Sequence, residues 1–162
     1  MRIGLVSDTH NDQSSVRRAL ARLRTEGITR VFHAGDVTSA VTLRLFDGFD
    51  VWIAQGNMDH DPGLTHTALE LFGPGRFRRV HTLALEGTSI AIIHDVDAVQ
   101  ARQLVLTRAT QIMVVGHTHR RRDEQVESTR IINPGALGNT RWDPPCFAIL
   151  DLIHGDLSWV EL

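Results

Sequence analysis

Short apolar runs alternate with amphipathic segments in the first third of the chain. Arg2–Val6 has the length and composition of a buried strand, and the polar stretch SDTHND follows it. Apolar residues between Val16 and Leu23 then recur at helical spacing, and Gly27 is a typical helix stop. This β-α-β-α-β order predicts a sheet of parallel strands with crossover helices. The remaining elements of this region are strands at Arg30–Ala34 and Val51–Ala54 and a helix that Thr38 caps and that runs to about Phe46.

The rest of the chain is richer in strands. Val80–Leu85 and Ser89–Ile93 flank the turn-like sequence Glu86-Gly87-Thr88, which predicts a hairpin. No internal repeat, low-complexity segment or linker interrupts the 162 residues, so we expect a single domain over 1–162. The other predicted elements are helices at Thr65–Phe72 and Val96–Ala109 and strands at Ile112–Val115, Glu124–Val126, Arg130–Ile132, Phe147–Leu152 and Leu157–Val160.

Composition narrows the class of protein. Hydrophobic content of 42% and charged content of 22% are ordinary for a soluble globular chain, and a net charge of −2 gives no general attraction to nucleic acid or to anionic membranes. The single Cys146 excludes an intramolecular disulfide and fits a reducing compartment. No signal peptide and no membrane-spanning run is evident, so a cytoplasmic location is expected. These features are compatible with a homo-oligomer as well as with a monomer.

Polar side chains follow directly after five of the predicted strands. In open α/β sheets the carboxyl ends of parallel strands line the ligand crevice, so we expect these side chains to converge. A shared cluster of carboxylates and imidazoles needs a partner for its buried charge, and metal cations are suitable partners. The residues concerned are Asp8, His10, Asp36, Asn57, His94, His117 and His119.

The types of donor indicate which metals the cluster would bind. Carboxylate, amide and imidazole donors together suit Mn²⁺, Fe or Zn²⁺, with Ni²⁺ and Co²⁺ also compatible, and the absence of thiolates argues against a structural zinc site. Seven ligands are too many for one ion but suit two ions that share a bridging aspartate. Two metals about 3.5–4 Å apart are the usual arrangement for hydrolysing phosphate esters.

The motifs in their order resemble those of the calcineurin-like metallophosphoesterases, and among these the small YfcE-like phosphodiesterases, whose fold the retromer scaffold subunit shares. The resemblance spans nearly the whole chain and implies a four-layer α-β-β-α sandwich, an α/β (α+β) fold. The motifs are D-x-H at Asp8, GD at Gly35, GN-x-D at Gly56, the strand-end His94, GHTH at Gly116 and NPG at Asn133, with Arg141 downstream.

The resemblance also implies roles for individual residues. Asp36, Asn57 and His117 would be central to catalysis, in which a hydroxide bridging two metals, Mn²⁺ first among the candidates, attacks the phosphorus of a small phosphate ester. Phosphodiesters are favoured over monoesters, and no further cofactor is expected. In this scheme Asp8, His10 and His119 hold one metal, Asn57, His94 and His117 hold the other, and Asp36 bridges them.

Some residues around the motifs are less settled. Met58 stands where the larger superfamily often has a histidine that protonates the leaving group, and His60 is a weak candidate to replace it. Asp59 is expected to support the metal loop by hydrogen bonding, and Arg141 is expected to contact substrate. Arg120–Arg122 would either contact phosphate or form a solvated charged turn.

Two rival functions follow from the same features. A protein-interaction scaffold with this fold would have weak catalysis or none, and such a scaffold would have lost some of the donors that this chain retains. A nucleic-acid-binding protein lacks support, because neither the net charge nor any interleaving of basic and aromatic residues favours it.

Overall fold

Successive side chains of the first strand point to opposite faces of its sheet and therefore enter two different cores. Ile3 and Leu5 are buried on one face, between two sheets, whereas Val6 packs against helices on the other face. The computed structural model, which describes residues 1–140 and 142–162, repeats this alternation in the neighbouring strand, where Val31 and Phe32 enter different cores.

The described residues form eleven strands and four helices. The helices are α1 (Gln13–Thr25), α2 (Ala40–Leu43), α3 (Gly63–Phe72) and α4 (Val99–Leu106), with a 3-10 turn at Arg44–Phe46. The strands are β1 (Arg2–Val6), β2 (Arg30–His33), β3 (Asp50–Ala54), β4 (Phe77–Arg78), β5 (Val80–Leu85), β6 (Thr88–Ile93), β7 (Ile112–Val114), β8 (Arg121–Val126), β9 (Thr129–Pro134), β10 (Cys146–Asp151) and β11 (Leu157–Glu161).

The strands form two sheets. The six-stranded sheet has the order β11-β10-β1-β2-β3-β4, with parallel pairing from β1 to β4. The five-stranded sheet has the order β5-β6-β7-β9-β8, with parallel pairing of β6, β7 and β9. The predicted parallel core of the first third and the predicted hairpin of β5 and β6 are confirmed.

Three apolar clusters hold the layers together. One lies between α1–α3 and the six-stranded sheet, the second lies between the two sheets, and the third lies between α4 and the five-stranded sheet. The layers therefore follow the order α-β-β-α, which confirms the predicted four-layer sandwich. No helix in the described part of the chain combines the length and hydropathy that a bilayer crossing requires.

Several predicted boundaries are wrong for local reasons. Ser39, not Thr38, caps α2, because its hydroxyl oxygen accepts the Thr42 N–H at 3.2 Å. The helix then tightens into the 3-10 turn instead of continuing as α-helix to Phe46. Helix α4 is shorter than Val96–Ala109, since Asp95 accepts the Asp97 N–H in a turn that precedes the helix. Strand β8 begins at Arg121, earlier than Glu124, and β4 had no sequence signal.

Gly4 sets the distance between β1 and α1. A Cβ at this position would lie 2.8 Å from both Cδ atoms of the buried Leu23. We expect Gly4→Ala to destabilise the protein by about 1–3 kcal/mol through overpacking and Leu23→Ala to cost about 2–5 kcal/mol through a cavity. The double variant should cost less than the sum, because the new methyl group enters the cavity. Urea unfolding of the four proteins measures this coupling, and additive costs would contradict it.

Candidate metal centre

The seven predicted donors lie in loops that leave the carboxyl ends of five parallel strands. The loops after β1, β2 and β3 carry Asp8, His10, Asp36 and Asn57, and those after β6 and β7 carry the other three histidines. The two sheets meet at this edge, where the His117 N–H lies 3.1 Å from Asp8 Oδ2 and donates to it. The structure therefore brings all seven side chains into one cluster.

Asp8, His10 and His119 form one half of the cluster. The two imidazole Nε2 atoms are 3.1 Å apart, and Asp8 Oδ1 lies 3.3 Å from His119 Nε2 and 3.8 Å from His10 Nε2. Each residue offers one donor atom, and the three atoms all lie within 4.8 Å of one another. This half has the carboxylate and imidazole donors that a divalent transition metal prefers.

Asn57, His94 and His117 form the other half. The Asn57 Oδ1 atom lies 2.9 Å from His94 Nε2 and 3.0 Å from His117 Nδ1. The rings of His94 and His117 meet edge to face, with centroids 5.1 Å apart. An amide oxygen and two imidazole nitrogens therefore face one small volume.

Asp36 lies between the two halves. Its Oδ2 is 3.6 Å from His10 Nε2 and 3.5 Å from His94 Nε2, so this oxygen is close to one histidine of each group. The other oxygen, Oδ1, accepts the Met58 N–H at 2.8 Å, which fixes the orientation of the carboxylate. Such a position suits a ligand shared by two cations.

The hydrogen bonds of two histidines leave nitrogen lone pairs free at the centre. His94 Nδ1 lies 2.7 Å from the Ala34 carbonyl and His119 Nδ1 lies 3.0 Å from the Asn139 carbonyl. A carbonyl oxygen can only accept, so Nδ1 carries the proton in both rings and Nε2 is left as a donor to metal. The donor set thus fits two divalent cations in tautomer as well as in composition.

Burial and the close contacts between carboxylates and imidazoles shift the pKa values of several residues in the cluster. Burial alone would raise the pKa of Asp8, but hydrogen bonds from His119 and Ser7 outweigh burial and leave this pKa below its usual value. The same Asp8 contact raises the pKa of His119, whereas burial lowers the pKa of His10. A cation at this half therefore competes with a proton on His119.

The match to known families agrees with this geometry. A model of the calcineurin-like phosphoesterase superfamily domain matches residues 1–155. The chain belongs to this superfamily. A phosphodiesterase of Methanocaldococcus jannaschii is 25% identical over 154 residues, with 93% of each chain covered.

Solved structures of the superfamily fold superpose over nearly the whole chain. An archaeal phosphodiesterase has a TM-score of 0.90 at 23% identity, with all of both chains covered. The phosphoesterase YfcE of E. coli has a TM-score of 0.72 at 18% identity, covering 99% of this chain and 98% of that one. Vacuolar protein sorting 29 of Cryptosporidium parvum has a TM-score of 0.67 at 20% identity, covering 98% and 95%. These likenesses show a shared fold.

The glycines of the superfamily motifs have a steric role that the sequence did not reveal. A Cβ on Gly56 would overlap the Oδ1 atom of Asp36, and one on Gly116 would overlap the Ser7 hydroxyl and lie 2.8 Å from Asp8 Oδ2. The GN and GH pairs therefore allow the loops of both sheets to approach the two carboxylates.

The loops also hold strained backbone. Five of the predicted ligands have left-handed φ angles, between 41° and 69°. This conformation costs roughly 1–2 kcal/mol for a residue other than glycine, and such strain is typical of functional sites. The five are Asp8, His10, Asp36, His117 and His119.

Two residues support the donors without belonging to the predicted ligand set. The Ser7 hydroxyl donates to Asp8 Oδ2 at 2.6 Å. The Asn133 amide, from the NPG motif, donates to the Gly116 carbonyl at 2.8 Å and so holds the loop of His117 and His119. Sequence reasoning missed Ser7, and it valued Asn133 only as part of a motif.

The arginines beside GHTH are held by other partners. Arg121 pairs with Glu161 at 2.6 Å and Arg122 pairs with Glu124, and both lie in β8, so these two residues belong to a strand and not to a turn. The Arg120 guanidinium lies over the ring of Trp142, 4.2 Å from its centroid. Arg141, a predicted substrate contact, lies outside the described residues.

Asp59 ties the loop of Asp36 to the loop of Asn57. Its Oδ2 accepts the N–H groups of Asp36 at 3.1 Å and Gly56 at 2.7 Å, and its Oδ1 accepts that of Thr38 at 2.8 Å. Burial raises the pKa of Asp59, although these backbone donors favour the charged form. The carboxylate needs both oxygens as acceptors to hold the two loops together.

We expect Asp59→Asn to weaken Mn²⁺ binding by about 10- to 100-fold, because an amide nitrogen would face a backbone donor and Asp36 would shift. Metal titration by calorimetry measures the change. Asp61→Asn is the matched control, since Asp61 also accepts two backbone N–H groups, from Ala40 and Gly63, in the adjoining loop. Equal losses in both variants, or no loss in the first, would contradict the role of Asp59.

His33 is fully buried beneath the centre, as a hydrogen-bonded residue, and its Nδ1 accepts the Gly35 N–H at 3.1 Å. Burial lowers the pKa of His33 to about 3 from a usual 6.5. Between these values the unfolded chain binds a proton that the folded chain does not. The free energy of unfolding should therefore decrease as pH falls through this window, by up to about 1.4 kcal/mol per pH unit.

His33→Asn tests this dependence, because the amide oxygen can still accept the Gly35 N–H but does not titrate. Urea unfolding with a chelator present, over the acidic range, should give a shallower decrease for the variant than for the wild type. Parallel curves would show that His33 does not contribute to the pH dependence.

Proposed function

We propose that this chain hydrolyses phosphate esters with two divalent cations and prefers phosphodiesters to monoesters. The observation that carries the proposal is the position of Asp36 Oδ2, within 3.6 Å of a histidine from each half of a complete donor set. In the proposal Asp8, His10 and His119 bind one cation, Asn57, His94 and His117 bind the other, and Asp36 is shared. Asp36, Asn57 and His117 are the catalytic residues.

Two cations at these positions would acidify a bound water and neutralise charge on the phosphate oxygens. The chain's own contribution is to orient the donors before substrate arrives. The Met58 N–H holds one oxygen of Asp36 and leaves the other directed at the centre. The carbonyls of Ala34 and Asn139 hold the imidazoles of His94 and His119 in the tautomer that binds metal.

Neither candidate position for a general acid is well suited to protonate the leaving group. Met58 has no proton to donate, and His60 is solvent-exposed on the wall of a cavity that also reaches Asn57 and His117. Esters whose leaving groups have a low pKa should therefore react best, since they depart without a general acid.

The donors indicate a metal from the middle of the first transition series. Two carboxylates, an amide oxygen and four imidazoles suit Mn²⁺ first, with Fe, Zn²⁺, Ni²⁺ and Co²⁺ as alternatives. We propose that the chain forms a single domain over 1–162 and acts in the cytoplasm, where its one cysteine, Cys146, is buried as a free thiol.

A protein-interaction scaffold is the second candidate. Vacuolar protein sorting 29, which is named for protein sorting and not for hydrolysis, has the same fold. The complete donor set favours the phosphoesterase over the scaffold. A scaffold has no need for five ligands in strained backbone or for a carboxylate placed between two histidine groups.

The test is an assay of Mn²⁺-reconstituted protein against an activated phosphodiester and the corresponding monoester. Asp36→Ala should lower turnover by at least about 100-fold, and His117→Ala should cause a loss of similar order, because each removes a donor to a cation that stabilises the transition state. His66→Ala is the control, since this histidine is exposed on α3 and should leave activity unchanged.

Metal binding by the wild type is measured alongside turnover. A wild type that binds no Mn²⁺, or variants that keep full activity, would contradict the phosphoesterase proposal and favour the scaffold. Turnover of the monoester alone would leave the enzyme class intact and reverse only the preference for diesters.

A further inference from the structure

Two cavities open from the metal centre, and Asn57 and His117 line both of them. The larger, about 410 Å³, is bordered by polar groups that include Arg79. The smaller, about 240 Å³, has Met58 and Trp142 in its wall beside the donors. A phosphate ester at the centre therefore meets chemically different surroundings on its two sides.

The smaller cavity has an apolar outer wall in an otherwise polar place. Trp142 is 65% exposed and Met58 is 47% exposed, whereas Asp36 in the same cavity is 2% exposed. Exposed large apolar side chains that occur together often mark binding sites, while isolated ones carry little meaning. Two of them beside the cluster of metal donors indicate a ligand with an apolar part.

The ring of Trp142 already packs against another side chain in the structure. The guanidinium of Arg120 lies 4.2 Å from the ring centroid. Beside it, Asp143 Oδ2 accepts the Arg121 N–H at 3.1 Å, which ties this loop to the start of β8. An aromatic surface that is already ordered loses little conformational freedom when a ligand packs on it.

From these observations we infer that the smaller cavity binds a flat aromatic ring carried by one substituent of the phosphate ester, packed against Trp142 and bordered by Met58. An indole ring favours flat aromatic partners in offset or edge-to-face packing, and a thioether makes good contacts with ring edges. The cavity is smaller than the roughly 300–1,000 Å³ of sites for drug-sized ligands, so it suits one group of a substrate.

This inference rests on the proposed phosphoesterase function, and its test uses inhibition of the Mn²⁺-reconstituted protein. Phenyl phosphate and methyl phosphate form one matched pair, which differs by an aryl ring. Adenosine 5′-phosphate and ribose 5-phosphate form another, which differs by a nucleobase. We expect the ring-bearing member of at least one pair to inhibit diester turnover about tenfold more strongly. The pair that shows the preference identifies the source of the ring.

Variants locate the preference. Trp142→Ala should abolish it while leaving inhibition by the ringless member unchanged, and Trp142→Phe should retain most of it. Ile153→Ala removes another exposed apolar side chain, 67% exposed in the turn after β10, and should have no effect.

The outcomes separate this inference from the proposed function. Normal turnover with no preference in either pair, or a preference that survives Trp142→Ala, would overturn the aromatic subsite and leave the enzyme intact. A wild type without turnover would overturn the phosphoesterase proposal and this inference together.

Discussion

Two carboxylates lie buried where the edges of both sheets meet, and the neighbouring loops are organised around them. Asp8 is 0% exposed and Asp36 is 2% exposed. Buried charges of one sign repel each other and lose hydration, so each needs donors or cations nearby. The Ser7 hydroxyl and the His117 and Met58 N–H groups supply hydrogen bonds, and each of these comes from a loop at the carboxyl end of a strand. The His117 N–H comes from the five-stranded sheet and the other two groups come from the six-stranded sheet, so the centre links loops of both sheets.

Close approach of these loops requires unusual backbone. Side chains can surround two carboxylates from five strand ends only if some loops turn sharply and others come within contact distance. Left-handed φ angles at five predicted ligands provide the sharp turns. Gly56 and Gly116 provide the close contacts, since a Cβ at either would collide with the carboxylate environment. The strain is tolerated because the packed sheets on both sides fix the loop ends.

The sequence predicted the framework and the convergence of the candidate donors because both follow simple local rules. Apolar runs of strand length identified most strands, and each donor loop began where such a run ended. It did not predict β4, which has only two residues, or the start of α2, where Ser39 and not Thr38 is the N-cap. The roles of Ser7 and the Ala34 carbonyl also escaped, because they depend on contacts between segments far apart in the chain. Such contacts leave no local pattern.

The inner and outer parts of the site are under different constraints. Inner positions must supply particular donor atoms and tautomers, so few residue types suit them, and that restriction makes the motifs recognisable. The side chains at outer positions such as Met58 and Trp142 are exposed, 47% and 65%, and are free to differ in size and polarity. The type of reaction should therefore be common to chains with this donor set. The choice of substrate should depend instead on side chains that the motifs do not include. The indole ring of Trp142, packed against Arg120 at the rim of the donor cluster, is the surface that we propose for such a choice.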